Sequence, residues 1–341
     1  MKTIAMCALL AALAFGLLPG NRDEAAAPDE GLVLLVETGE EAVAPQKAAS
    51  AQQNESEAIM TQIAPDAQTV RLLDGGAVTA LSMEDYLTGV LLSEMPADFE
   101  PEARKAQAVA ARTFTCRKLL QPKHENADVC AEASCCQAWT SREQLRQKYG
   151  ASFDAVWSAA REAVRQTAGQ VLTYDGQLID AVYFSCSGGA TEAAVAVWGT
   201  DVPYLQAVES PGEEAAPRFS SRAVFSPEEF SQRLMQENPD VQLSGSPDAW
   251  LGETTRSAGG GAATCSIGGV SFSGTQLRRM FGLNSTRLTL SYQDGDFVFD
   301  VTGFGHRVGM SQYGAQTMAQ LGFSYRTILQ YYYQGAEVER Q

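Results

Sequence analysis

Histidine is nearly missing: the chain has two, His124 and His306, among 341 residues. The one turn that looks like a nucleophile elbow, Ser185-Cys186-Ser187-Gly188-Gly189, has no accompanying His–acid pattern. That argues against a serine hydrolase. Bases are short as well, with 25 Lys and Arg against 41 Asp and Glu and a net charge of −16. So acidic a chain does not displace counterions from a polyphosphate, which excludes nucleic acid as a partner. No run stays apolar for the ~20 residues that cross a bilayer comfortably. No internal repeat appears, and 45% hydrophobic residues indicate a mostly globular chain.

The first long apolar run, Ile4 to Leu18, has fifteen residues, with Lys2 before it and Pro19-Gly20-Asn21-Arg22 after. Residues 1–19 therefore fit a signal-peptide core or a short signal anchor. Ala25-Ala26-Ala27 offers a cleavage site, and Cys7 lies too early for a lipoprotein site. Either way the bulk of the chain is expected outside the cytoplasm. Residues 20–66 are rich in Ala, Glu, Gln and Pro and carry ten acids against Arg22 and Lys47. They read as a disordered acidic tether that holds half of the net charge. The globular part, 67–341, is only moderately acidic.

Thr69–Leu73 and Ala77–Leu81 flank Asp74-Gly75-Gly76, a hairpin pattern. Ser82 caps a helix running to about Glu94, ended by Pro96. Asp98 and Pro101 open a second helix to about Leu120, and Ser141–Val164 reads as a third. From Gly169 the pattern turns to strands. Hairpins are expected over 171–184, around Asp175-Gly176, and over 287–300, around Asp294-Gly295. Ser271–Met280 reads as a turn into a helix, and Gly314–Tyr333 as the last helical region, while 209–263 is the least informative stretch. Helical and strand blocks that keep apart indicate an α+β fold.

Four segments carry chemistry. In the first, Glu94 closes the apolar segment Tyr86–Met95, and the next helix brings Lys105 and Arg112, seven apart and so on one face. A carboxyl with apolar neighbours such as Leu91, Leu92 and Met95 has a raised pKa and suits general acid/base work. The cations can bind substrate oxygens and stabilise developing charge; placed too close, they would lower the acid's pKa instead. In the second, His124, Cys130, Cys135 and Cys136 put four soft ligands within thirteen residues. That matches a closed, tetrahedral, structural Cys3His zinc site. A Cys130–Cys135 or Cys130–Cys136 disulfide is the competing reading in an oxidising compartment.

The third is Phe184-Ser185-Cys186-Ser187-Gly188-Gly189-Ala190-Thr191-Glu192, followed by Trp198 and Tyr204. Small hydroxyl residues and paired glycines let a glycan approach the backbone, or simply make a tight turn. The fourth is Gly303-Phe304-Gly305-His306-Arg307-Val308-Gly309-Met310-Ser311-Gln312-Tyr313-Gly314-Ala315. Here His306 either meets a glycan, positions Glu94 or holds its loop, and Gln312 and Tyr313 can contact sugar.

These four segments, in this order, resemble the stage II sporulation protein D family over residues 68–341. The last segment departs from that family's G-x-G-H-G-V-G-M-S-Q-Y-G-A at Arg307, where a glycine is usual. The resemblance implies a peptidoglycan lytic transglycosylase with Glu94 as its acid and base, acting on denuded glycan strands to give 1,6-anhydro-muramic acid ends. It implies a substrate groove between two lobes, with Ser185, Ser187, Thr191, Tyr204, His306, Gln312 and Tyr313 along it beside Lys105 and Arg112. It implies a structural zinc in the His124–Cys136 loop. It implies a membrane anchor, action between mother-cell and forespore membranes, and an engulfment complex with an amidase/endopeptidase and a membrane scaffold protein. A secreted form is the alternative location. A non-catalytic amidase enhancer is the alternative function, and a zinc hydrolase a third reading.

Overall fold

The computed structural model describes residues 69–341; the expected leader over 1–19 and tether over 20–66 lie outside the described residues. Strand β1 (Thr69–Asp74) pairs antiparallel with β2 (Ala77–Ser82) as expected. Gly75 and Gly76 turn the chain at φ 54° and 86°, values open to glycine at little cost. Helix α1 (Met83–Glu94) starts where the Ser82 side chain accepts from the Asp85 N–H, and α2 (Pro101–Leu120) starts on its proline. Helix α2 is the central beam. Ala103, Ala106, Ala110 and Ala111 are buried along it, and their small side chains let neighbouring elements come close. Strand β3 (Val129–Cys130) lies parallel to β1.

The expected helix over 141–164 is two. Helices α3 (Arg142–Tyr149) and α4 (Phe153–Gln166) are divided at Gly150, whose φ is 51°. The expected hairpin over 171–184 is shorter: β4 (Gln170–Tyr174) pairs with β5 (Gln177–Leu178) and stops. Arg117 of α2 ends it by donating to the Leu178 carbonyl at 2.9 Å and pairing with the Asp180 carboxylate at 2.6 Å. Strand β6 (Tyr183–Phe184) then leaves the hairpin and pairs in parallel with Met310–Ser311.

Next, β7 (Gly189–Ala190) and β8 (Glu209–Ser210) pair around α5 (Ala194–Trp198). The stretch that looked least informative holds regular structure: β9 (Ser220–Phe225), α6 (Pro227–Glu237) and β10 (Leu251–Arg256). Strands β11 (Ala262–Ile267) and β12 (Val270–Ser273), helix α7 (Gly274–Phe281), and the expected hairpin of β13 (Arg287–Gln293) and β14 (Asp296–Thr302) follow. Two three-stranded antiparallel sheets result, β10-β11-β12 and β13-β14-β9. They enclose their own apolar cluster, in which Phe230 stacks on Phe297 with ring centroids 3.8 Å apart and packs near Phe281 and Phe299.

The chain then returns to the first core. Strand β15 (Met310–Ser311), helices α8 (Gln312–Gln320) and α9 (Tyr325–Tyr332), and β16 (Glu337–Arg340), paired with β4, complete it. The single helix expected over 314–333 is divided at Leu321–Ser324, with Gly322 at φ 85°. The fold is α+β: a mainly helical lobe, and a mainly antiparallel lobe carried between its parts. Among the described residues no helix is long and apolar enough to cross a membrane.

Candidate active site and metal centre

Glu94 is the last residue of α1, and three elements converge on its carboxyl. Oε1 accepts from the Ala138 N–H at 2.8 Å, and Oε2 accepts from Gln312 Nε2 at 3.3 Å at the start of α8. The Tyr183 hydroxyl of β6 is the third partner. Leu91, Leu92 and Met95 beside it in the chain are buried. Burial pushes the Glu94 carboxyl up to about 7 from its ordinary 4.5, against the pull of the hydrogen bonds from Ala138 and Gln312. A carboxyl held there is protonated in a large share of molecules at neutral pH, as a general acid requires.

Ala138 belongs to the loop that follows the cysteine cluster. His124 Nε2 lies 3.6 Å from Cys135 Sγ and 3.5 Å from Cys136 Sγ. With Cys130, the four candidate ligand atoms lie within 4.8 Å of one another. Ligands on a tetrahedral zinc, at roughly 2.3 Å for sulfur and 2.0 Å for nitrogen, stand about 3.5–3.8 Å apart. The donor set therefore fits a closed metal site. The N–H groups of Cys135 and Cys136 both turn to the Glu132 carbonyl, at 3.0 and 2.8 Å, which gathers the two side chains. Without a cation, burial pushes the Cys136 thiol up to about 12 and raises that of Cys130; a bound cation inverts this balance.

The same loop lies along α1. Trp139 packs on Gly89, where a Cβ would stand 2.8 Å from the indole Cδ1. Ser93 Oγ donates to Thr140 Oγ1 at 2.8 Å. Gln137 is buried, with links to Tyr86, Thr115 and Tyr183.

Other residues singled out in the sequence have different surroundings. Lys105 pairs with Glu102 and lies 5.2 Å over the Tyr325 ring, at the junction of α2 and α9. Arg112 is fully buried and donates to the Val164 carbonyl at 3.0 Å and, at 3.4 Å, to Thr167 Oγ1 and the Gln170 carbonyl. It ties α2 to the corner between α4 and β4 rather than offering its charge to a ligand. Ser187 and Thr191 are also fully buried. Ser187 Oγ donates to Glu213 at 3.0 Å, and Thr191 Oγ1 accepts from the Val208 N–H at 2.9 Å. The small hydroxyl residues of this segment thus hold backbone.

Ser185 is half-buried, and its carbonyl accepts from the Tyr313 N–H at 3.0 Å. The Tyr204 hydroxyl accepts from the Asp180 N–H at 3.1 Å. Tyr313 is half-buried and meets Phe99 edge-on at 5.0 Å. His306 is half-buried, accepts from the Val308 N–H through Nδ1 at 3.1 Å, and lies between the rings of Phe184 and Trp198 at 5.6 and 5.5 Å.

Arg307 takes φ 67°, the backbone shape that a glycine favours. Its side chain offsets the strain. The guanidinium is fully buried and donates to Glu192 at 3.0 Å, the Ser187 carbonyl at 2.7 Å, the Ala190 carbonyl at 2.7 Å and the Gly259 carbonyl at 2.6 Å. Burial lowers it to about 10, so it stays charged at neutral pH. Gly259 belongs to the β10–β11 turn, so Arg307 fastens one lobe to the other.

Sequence reasoning missed four residues here: Gln137, Tyr183, Glu192 and Glu213. Gln137 and Glu192 left a signal, the first directly after two candidate metal ligands and the second as the acid that closes the Ser185–Glu192 segment. A cavity of about 440 Å³ is lined by Glu229, Arg233, Glu237 and Met280 on the second lobe, away from Glu94.

The family model described as Stage II sporulation protein matches residues 74–174, which hold Glu94 and the candidate metal ligands. Stage II sporulation protein D of Bacillus subtilis (strain 168) is 38% identical over 269 residues, covering 77% of this chain and 76% of that protein. Its counterpart in Bacillus amyloliquefaciens is 37% identical over 266 residues, covering 77% and 75%. The amidase enhancer of Bacillus subtilis (strain 168) is 30% identical over 301 residues, which is 73% of this chain and 39% of that protein. Together with the four motifs in order, these matches establish that the chain belongs to the stage II sporulation protein D family.

Proposed function

We propose that this protein is a lytic transglycosylase of peptidoglycan acting in sporulation, with Glu94 as its single acid and base. Membership of the family ties the chain to sporulation and the cell wall. The observation that carries the reaction is the Glu94 carboxyl, half-buried, held by Ala138 and Gln312 and raised to about 7.

Protonated Glu94 donates to the glycosidic oxygen as the bond from muramic acid C1 breaks. The carboxylate left behind takes the proton of the C6 hydroxyl of the same sugar. That oxygen bonds to C1, closing the 1,6-anhydro ring without water and restoring the acid. One carboxyl completes the cycle. The proposed metal is zinc, held by His124, Cys130, Cys135 and Cys136, and its part is to fix the loop that presents Ala138. The proposed substrate is denuded glycan, the proposed location the outer face of a membrane, and the proposed partners an amidase/endopeptidase and a scaffold protein of the engulfment complex.

The match to an amidase enhancer favours a second reading, in which the protein binds wall and stimulates an amidase without cutting. Mass spectrometry of denuded strands incubated with the purified protein and with Glu94→Gln separates the two. Anhydro ends from the wild type alone are the expected result. Reducing ends would mean a hydrolase. No product from either protein, with glycan still bound, would favour the enhancer.

A further inference from the structure

Arg287 opens β13 at the junction of the lobes, and its charge meets no acid. Its N–H donates to Ser285 Oγ at 2.9 Å, which sets the backbone. Among the described residues no hydrogen bond or ion pair engages its guanidinium. The side chain is half-buried and lies over the same two segments that Arg307 binds, one residue away along each. A Cβ at Gly189 would stand 3.6 Å from Arg287 Nη1 and 3.9 Å from Cζ, and one at Gly260 3.2 and 3.5 Å. A side chain on either residue would lie across the guanidinium; glycine, at φ 116° and 78°, leaves it uncovered. The acids nearby are committed. Glu192 pairs with Arg307 at 3.0 Å, and Glu213 accepts from Ser187 Oγ, the Gly188 N–H and Ser210 Oγ. Besides burial, the Arg287 charge lowers the Arg307 guanidinium. In a chain of net charge −16, Arg287 is a spare cation kept beside a like charge. The junction is within reach of the acid. Arg307 and Gln312, which holds Glu94 at 3.3 Å, are five residues apart, at most about 18 Å of extended chain.

We propose that Arg287 is a specificity-determining residue that binds the lactyl carboxylate of muramic acid on a denuded strand. The inference rests on the reading of the substrate as peptidoglycan glycan. Muramic acid carries a lactyl ether whose carboxyl is free once the stem peptide is gone and is an amide while the peptide is attached. A guanidinium takes a carboxylate through two parallel N–H···O bonds, whereas an amide offers it one oxygen and no charge. Arg287 thus favours denuded strand over peptide-bearing strand by charge and by shape. The bare glycines on its face let the sugar that bears the carboxylate come close to the backbone. Lys105 and Arg112, the cations that the sequence offered for substrate oxygens, are engaged elsewhere, by Glu102 and by the carbonyls of Val164 and Gln170. Arg287 supplies the cation that they do not.

The test measures binding rather than cutting. The full chain carrying Glu94→Gln is titrated with denuded strands, and with the same strands after their lactyl carboxyls have been converted to methylamides. Denuded strands should bind about tenfold more tightly, as one partly exposed charge-assisted bond allows, and added salt should shrink the difference. Arg287→Met in the same background should remove the preference, and Arg287→Lys should keep part of it. Equal binding of the two strands with Arg287 in place, or no binding of either, would overturn the proposal. A preference that survives Arg287→Met would reject it equally. The comparison of the two strands needs no change at Arg287, so it decides the matter if Arg287→Met does not fold. Preferential binding without anhydro ends from the wild type would sink the lytic reading and leave this one standing. Anhydro ends without the preference would do the reverse.

Discussion

The Ala138 N–H donates to Glu94 Oε1 at 2.8 Å, two residues beyond Cys136. The backbone of the loop that carries the candidate metal ligands therefore holds the Glu94 carboxyl directly. Releasing the cluster should loosen the acid as well as the loop. Exhaustive chelation, or Cys130→Ser, should lower the melting temperature by roughly 5–10 °C, which corresponds to a few kcal/mol for a fold of this size. Elemental analysis should find one zinc per chain. An unchanged melting temperature after metal loss would deny the cluster a structural part.

Glu94 should make stability depend on pH. Its folded pKa, about 7, stands above the ordinary 4.5, so its contribution is complete below about pH 4.5 and is lost as pH rises through 7. Glu94→Gln keeps an acceptor for Ala138 and has no charge to bury. It should match the wild type near pH 4 and exceed it by about 1–3 kcal/mol at pH 9. Denaturant melts at both pH values check this. The proposed reaction should slow tenfold per pH unit above 7, and a rate flat into alkali would remove Glu94 as the acid.

Arg307→Gly restores the residue usual for the family and should still destabilise. Relief of the φ 67° backbone favours glycine by about 1 kcal/mol. Losing the guanidinium strands the buried Glu192 carboxylate, which costs about 3–5 kcal/mol. The net loss is roughly 2–4 kcal/mol. Adding Glu192→Gln should recover part of it, and a double-mutant cycle reads the coupling. Arg307→Gly as stable as the wild type would refute this account of the lobe junction.

Gly89→Ala opposes helix propensity with sterics. Alanine gains about 1 kcal/mol inside a helix. Here its Cβ would stand 2.8 Å from Trp139 Cδ1 and 3.0 Å from the Thr140 carbonyl, a rigid ring and a backbone atom. Overpacking of about 1–3 kcal/mol should win, and the variant should melt lower with altered tryptophan fluorescence. A variant that melts higher would show that the loop gives way freely.

Local signals were readable where physics is local. Asp74-Gly75-Gly76 announced its hairpin, Ser82 and Pro96 bounded α1, and His124 with the three cysteines announced a cluster that could hold a metal ion. Breaks imposed from a distance were not. Arg117 ends β5 from α2. Arg112 looked like a ligand-binding cation because its neighbours along the helix say nothing of α4 and β4, whose carbonyls it serves. Ser187 and Thr191 looked like sugar contacts for the same reason; Glu213 and Val208, their partners, come from later in the chain. Gln312 was picked as a sugar contact, and its bond to Glu94 spans 218 residues.

That span orders events in time as well as in space. Glu94 is made early, and Gln312 and β15, which pairs with Tyr183, are made near the end, after the whole second lobe. Until those last elements dock, the acid lacks two of its three supports. A ribosome delivering this chain handles a protein whose Glu94 site is unfinished until the final thirty or so residues arrive. The order of synthesis itself keeps a half-made copy from assembling the site.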